Sequence, residues 1–380
     1  MSDDLLLVYA QDAGGALAIC PIVDRLILDG EYSVKVVTHS SASDLYRKLK
    51  IKHDTLEVLT EKIPLNGTSA CGLLRKLGPA KIISTTSNNR NDPSNGELIR
   101  AARVIGIPCF AFFEHWKGWK KLSSSDDPLR YFPDVLGVID HRSVEYGVSL
   151  GFPRQRMVAV GHPRLEALYD RQSTKRKEIR KLLGVDDEIV CTFFSQPLVR
   201  ETKENTRFES LFGSDLESFI FSAFDIVQDI FRRKGFDVRF CARVHPKEDF
   251  ERSLNFDSRD IEIPDSTMSS LDVALGSNLV IGLDSMILYE AIFCGIPVVS
   301  LKYEEFCAID ENFQGWPDIL PAVRNAKELG GFLEQHENSI MLGCSTHFEG
   351  YPLIRGSVRK CVEAVLGNLS LSPGLKESLP

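Results

Sequence analysis

The run Arg243-Val244-His245-Pro246-Lys247 gathers three nitrogen-bearing side chains around one turn at the end of an apolar strand pattern. Proline at 246 has no amide hydrogen and holds His245 in extended backbone. An imidazole flanked by Arg243 and Lys247 suits phosphate oxygens and would stabilise a departing anion. A turn whose histidine caps a backbone group would read the same way. A second constellation runs from Gly282 through Asp284, Ser285, Met286 and Glu290, ahead of Gly295-Ile296-Pro297. Asp284 or Ser285 is placed to start a helix, so its first amides and positive end offer an anion site. Glu290 follows within that apolar helix, where a carboxylate can accept a pair of hydroxyls. An ordinary capped helix accounts for Asp284 but leaves Glu290 unexplained.

Two further groups stand in the first half. Glu114 and His115 close an apolar strand pattern and precede Trp116 and Trp119. Apolar surroundings push a carboxylate toward the strength of a general base, and tryptophans often face sugar rings; packing of the tryptophans in a turn fits equally. The segment 117–130 reads as a flap. Asp12-Ala13-Gly14-Gly15 follows the first strand pattern. Gly14 and Gly15 would let an acceptor oxygen or phosphate approach a helix start, or serve only as a tight strand-to-helix turn. The run matches neither G-x-G-x-x-G nor the Walker pattern. Ser195 and Gln196 end the first strand of the second half, within reach of a phosphate or base. His162, in Gly161-His162-Pro163-Arg164, reads as part of an interdomain hinge rather than as a catalyst. Neither H-E-x-x-H, G-x-S-x-G nor a metal-spaced cluster occurs, so no metal or cofactor is expected.

Positioning these residues needs alternating strands and helices. Strand patterns at 5–10, 33–38, 55–59, 81–85, 107–113, 135–139 and 157–160 alternate with helical ones, the signature of a parallel sheet covered by helices. After a charged stretch, whose basic cluster at 175–181 reads as a solvated helix face, a second alternation runs from 189 to 301, and an amphipathic helix follows at 358–366. The fold class expected is α/β, with two Rossmann-like doubly wound domains facing each other across a cleft. The N-terminal domain would span 1–162 and the C-terminal domain 163–370, with 371–380 a flexible tail. Ligands of such sheets sit outside the carboxyl ends of the strands.

The totals agree. A chain of 380 residues suits two domains, and 43% hydrophobic with 26% charged residues is ordinary globular composition. A formal net charge of −8 argues against nucleic-acid binding. Nine cysteines without a C-x-x-C pair fit a reducing compartment. The start Met1-Ser2-Asp3-Asp4 lacks the basic region of a signal peptide, and no run of eighteen apolar residues occurs. The expectation is a cytoplasmic protein with at most peripheral membrane contact.

Val160-Gly161-His162-Pro163, Arg243-Val244-His245-Pro246, and Gly282-Leu283-Asp284-Ser285 through Glu290 with Gly295-Ile296-Pro297-Val298 resemble the GT-B glycosyltransferase group. That group includes lipid-A-disaccharide synthase, capsule and teichoic-acid transferases, and the hydrolysing UDP-N-acetylglucosamine 2-epimerases. The resemblance implies a UDP-, CDP- or CMP-linked sugar donor on the C-terminal domain, an acceptor glycan or glycolipid on the N-terminal one, and no bound metal. By the same resemblance, His245 matches a histidine that meets the donor phosphate, and Ser285 and Glu290 match phosphate-binding and ribose-binding positions. Glu114 stands near where several relatives place a catalytic base, although no shared motif fixes that match. The implied function is glycosyl transfer in surface-polysaccharide or glycolipid assembly. A nucleotide-sugar 2-epimerase or hydrolase, or a non-catalytic nucleotide-binding subunit, is the alternative. Lys302-Tyr303-Glu304-Glu305 stands where the epimerases carry Glu-Arg-Pro-Glu, which counts against epimerisation.

Overall fold

The computed structural model describes residues 4–89, 92–116, 118–169, 176–185, 187–195, 216–243, 261–262, 264, 267–283, 285–302, 320–344 and 355–367. The chain divides into two compact units, residues 1–167 with 351–380, and residues 168–350.

The first unit is a seven-stranded parallel sheet, β1 (Leu5–Ala10), β2 (Ser33–Thr38), β3 (Asp54–Thr55), β4 (Lys81–Thr85), β5 (Cys109–Phe112), β6 (Val135–Val138) and β7 (Met157–Ala159), in the order β3-β2-β1-β4-β5-β6-β7. Its helices are α1 (Ala13–Asp29), α2 (Ser41–Lys48), α3 (Leu56–Leu59), α4 (Gly67–Leu77), α5 (Ser94–Ile105), α6 (His141–Ser149) and α7 (Pro163–Tyr169). The central strands are apolar throughout because helices cover both faces: Leu6 to Ala10 of β1 are all buried. Strand order reverses at β1 and β4, so their carboxyl ends open the crevice where this architecture binds ligands. Gly15 is required there by packing. A Cβ at Gly15 would lie 2.8 Å from Thr85 Cβ, so its absence lets α1 seat against the end of β4.

The second unit carries α8 (Arg176–Leu182), β8 (Ile189–Phe194), α9 (Leu216–Arg232), β9 (Val238–Arg243), α10 (Ser270–Gly276), β10 (Leu279–Gly282), α11 (Met286–Phe293), β11 (Val298–Leu301), β12 (Ala322–Val323), α12 (Ala326–Gln335) and α13 (Glu337–Leu342). Its parallel sheet has the order β12-β11-β10-β8-β9, which places the reversal at β8 and β10. Phe193, Phe224, Phe240, Ile281 and Val299 belong to its core, with the Phe224 and Phe240 rings 4.4 Å apart.

Three local features differ from the sequence expectation. Of the strand expected at 55–59 only Thr55, together with Asp54 before it, pairs with β2; Leu56–Leu59 turns into helix α3, with Leu56 buried and Val58 exposed. The basic cluster is only half solvated. Lys177 and Lys181 are exposed, but Arg176 donates to the Leu275 carbonyl at 2.8 Å and Arg180 to that of Gly276 at 3.1 Å, satisfying the last carbonyls of α10. The last helix, α14 (Ser357–Leu366), packs on α1 in the first unit, whereas the sequence-based boundary left it in the second. The Glu166 carboxylate accepts the Gly356 amide, and the Val358 amide at 2.8 Å, at the start of α14; Lys81 donates to the Val365 carbonyl at its other end. A carboxylate on free helix amides acts as a cap supplied from another helix. Glu166→Ala is therefore expected to lower the stability of the first unit by about 1–2 kcal/mol, read as the urea midpoint at constant m-value.

Candidate functional site

In the first unit the polar side chains collect at the carboxyl ends of β1, β2, β4 and β5. Glu114 lies two residues beyond β5, and its carboxylate is 16% exposed. One oxygen accepts the Thr86 hydroxyl at 2.9 Å, and the other accepts Lys121 Nζ at 2.9 Å. Lys121 also donates to the Thr86 carbonyl and lies 4.6 Å from the centre of the Phe113 ring. The result is a half-buried carboxylate with a cation on one oxygen and a hydroxyl on the other.

The side chains behind Glu114 are buried. His162 is buried, packs edge-on against Phe112 at 5.5 Å, and hydrogen-bonds to the backbone at Glu114. Burial lowers the ring's pKa to about 4, which keeps it neutral. Trp116 and Trp119 are buried rather than offered to a sugar. Trp116 Nε1 donates to Asp140 at 2.9 Å, and Trp119 Nε1 to the Trp116 carbonyl at 3.0 Å. Trp119 stacks obliquely on Phe113 at 4.6 Å and on Phe152 at 5.5 Å. Within the segment expected to form a flap, Trp119 and Leu122 are buried in the core. His115 is half-buried beside Trp116.

At the β1–β4 crevice, Gln11 donates to the Asp92 carbonyl at 3.0 Å and accepts the Asn95 amide at 2.9 Å. Gly14 and Gly15 form the first turn of α1 beside it. The sequence reading missed a third cluster. His39, just past β2, is buried with Nδ1 2.6 Å from Glu57 Oε1 and Nε2 2.7 Å from Asp92 Oδ2. Burial would raise the Asp92 carboxyl, but hydrogen bonds from Ser94 and His39 outweigh it and hold the group below the usual carboxylate range; Glu57 is lowered in the same way. These three residues stand far apart in the sequence and gave no local signal.

In the second unit, Ser195 follows β8 and donates its amide to the Arg243 carbonyl at 3.0 Å. Gly282, at the end of β10, has no room for a Cβ, which would meet Leu288 Cδ2 at 2.9 Å. Ser285 occupies the N-cap of α11 in extended backbone, yet its hydroxyl makes no capping bond. Met286, Ile287 and Glu290 share the half-buried face of α11, while Leu288, Tyr289, Ala291, Ile292 and Phe293 face the core. The Arg243 guanidinium donates to the carbonyls of Pro264 at 3.2 Å and Met268 at 2.8 Å, bracing the segment before α10. Gln196, His245, Lys247 and Asp284 lie outside the described residues. Among the described residues, no group of three or more His, Cys, Asp or Glu side chains is arranged to hold a metal ion, and no helix is long and apolar enough to cross a membrane.

His162 makes one acid-limb prediction. Its folded pKa, about 4, is below the ordinary histidine value of roughly 6.5. The unfolded chain therefore binds more protons between these values, and stability falls as pH drops through that window. His162→Asn should flatten the melting temperature between about pH 6.5 and pH 4 relative to wild type, measured by thermal unfolding across pH.

No protein-family profile matches the chain, and no curated protein does. Solved structures do match it along its length. A UDP-N-acetylglucosamine 2-epimerase candidate from Listeria monocytogenes superposes with a TM-score of 0.66 at 13% identity, covering 100% of both chains. The UDP-N-acetylglucosamine 2-epimerase of Neisseria meningitidis bound to UDP-GlcNAc gives 0.64 at 13% identity, over 96% of this chain and 100% of that one. The Methanocaldococcus jannaschii enzyme in complex with UDP-GlcNAc and UDP gives 0.64 at 13%, over 96% and 99%. At such identities the likeness is one of fold, and the fold is the one the sequence motifs pointed to: successive Rossmann-like α/β units of the GT-B type.

Proposed function

We propose that this chain is an enzyme acting on a nucleotide-activated sugar, with Glu114 as its proton-transfer group. The observation that carries the reading is the Glu114 carboxylate, held between Thr86 and Lys121 at the ligand-binding edge of the first sheet. In this reading the second unit takes the nucleotide. The start of α11 at Ser285, with His245 and Lys247, meets the phosphates, and Glu290 meets the ribose. Ser195 and Met286, with Gln196 and Asp284 by their place in the sequence, complete the donor-binding set, and Arg243 braces the segment before α10. Helix-end amides and cations stabilise the charge that develops on the leaving nucleotide.

Two reactions fit this division. Inversion at the sugar's second carbon breaks a C–H bond and remakes it on the other face, so it needs a group that takes a proton and one that returns it. Whole-chain likeness to structures named as UDP-N-acetylglucosamine 2-epimerases supports this reaction. Glycosyl transfer uses the same carboxylate to deprotonate an acceptor hydroxyl, and the departure from the epimerases at Lys302-Tyr303-Glu304-Glu305 supports it. A glycan or glycolipid is then the acceptor. Incubation with UDP-N-acetylglucosamine alone separates the two: an altered sugar without acceptor identifies epimerisation or hydrolysis, and product formed only with acceptor identifies transfer. In either case Glu114→Gln is expected to lower kcat by about 10²–10⁴-fold with the fold unchanged by circular dichroism. Near-wild-type turnover would remove Glu114 from the chemistry.

A further inference from the structure

We propose that His39 is a positioning residue, an imidazolium clamp that fixes the segment leading into α5 and through it the Glu114 group; the link to turnover rests on the reading of Glu114 given above. The clamp joins three parts of the chain: the end of β2, helix α3 through Glu57, and the residues before α5 through Asp92. Both ring nitrogens face carboxylate oxygens, at 2.6 and 2.7 Å. A neutral imidazole has a single N–H, so one nitrogen would set a lone pair against a carboxylate. Only the doubly protonated ring donates to both, and two charge-assisted bonds are the stronger kind. The ring is buried, so water is poorly placed to replace either partner. The other ionisable groups around the clamp come from the end of β1 and the start of α1. Tyr9 is raised by burial and, to a smaller degree, by the charges of Asp92, Glu57 and Asp12.

The connection to Glu114 runs through hydrogen bonds. Asp92 accepts the Ser94 amide at 2.9 Å and, through its carbonyl, Gln11 Nε2. Asn95 donates to the Ser84 hydroxyl at 2.9 Å, fixing the same segment to β4. Asn89 accepts the Gly96 amide at 3.0 Å and donates to the Lys121 carbonyl at 2.7 Å, and Lys121 holds Glu114. Release of Asp92 would therefore loosen the segment that presents Thr86 and Lys121 to the carboxylate.

The test compares the full-length chain with His39→Gln and Glu57→Gln by hydrogen–deuterium exchange, nucleotide binding and turnover. The amide side chain of H39Q donates through one end only. In E57Q a neutral imidazole accepts from the new amide and donates to Asp92, so the bridge survives. H39Q is expected to speed exchange about tenfold over residues 86–89 and 92–97 while β1 stays protected. It should lower kcat by a similar factor and leave UDP affinity unchanged, and E57Q should stay close to wild type. Unchanged exchange in H39Q, faster exchange with unchanged kcat, or an E57Q that behaves like H39Q would each overturn the proposal. If H39Q does not fold, Glu57→Ala, at an exposed position, removes half of the clamp and should speed exchange in the same residues; unchanged exchange there would count against the clamp. A wild-type chain that turns over no nucleotide sugar would sink the reading of Glu114, while the exchange comparison would still decide the clamp.

Discussion

A parallel strand covered on both faces has one place left for polar chemistry, its carboxyl end. That constraint organises each unit of this chain. β1 is apolar from Leu6 to Ala10, and its first polar residue, Gln11, sits where strand order reverses. Thr38 and His39 close β2, Thr85 and Thr86 close β4, and Glu114 follows β5. The charged and hydroxyl side chains thus reach one edge because the strands leave them nowhere else.

Once gathered, these groups need partners, since a buried carboxylate without donors is costly. Each has them. Glu114 has Thr86 and Lys121; Asp140 has Trp116 and the Ser143 amide; Asp92 has Ser94 and His39. Satisfied networks of this kind fix geometry, which a proton-transferring group requires. The second unit solves a different electrostatic problem. Its α11 is apolar and short, with no acidic residue in the first turn, and in the proposed reading its positive end meets the nucleotide's phosphates.

Much of this was legible in the sequence, because alternation of apolar strand runs with helical periodicity is local. β8, β9, β10, α9 and α11 lie where their patterns place them. Other features were not legible, for physical reasons. Helix α4 opens with a reciprocal Asn66–Ser69 cap, a signal present in the sequence but masked by the polar stretch around it. Trp116 and Trp119 read equally as sugar platforms or packing, and burial alone decides for packing. Arg176 and Arg180 look like a solvated face until the carbonyls they satisfy, far along the chain, are in place. The His39 cluster depends on contacts between residues far apart in sequence, which periodicity cannot show.

In the proposed division of labour, the second unit takes the nucleotide and Glu114 in the first carries the proton chemistry. Isothermal titration with UDP, CDP, CMP and GDP, on wild type and on the Glu114→Gln variant, addresses it directly. Saturable binding of one nucleotide with the same affinity in both proteins is expected. Absence of binding by every nucleotide at millimolar concentration, or a nucleotide affinity that collapses with Glu114, would contradict it.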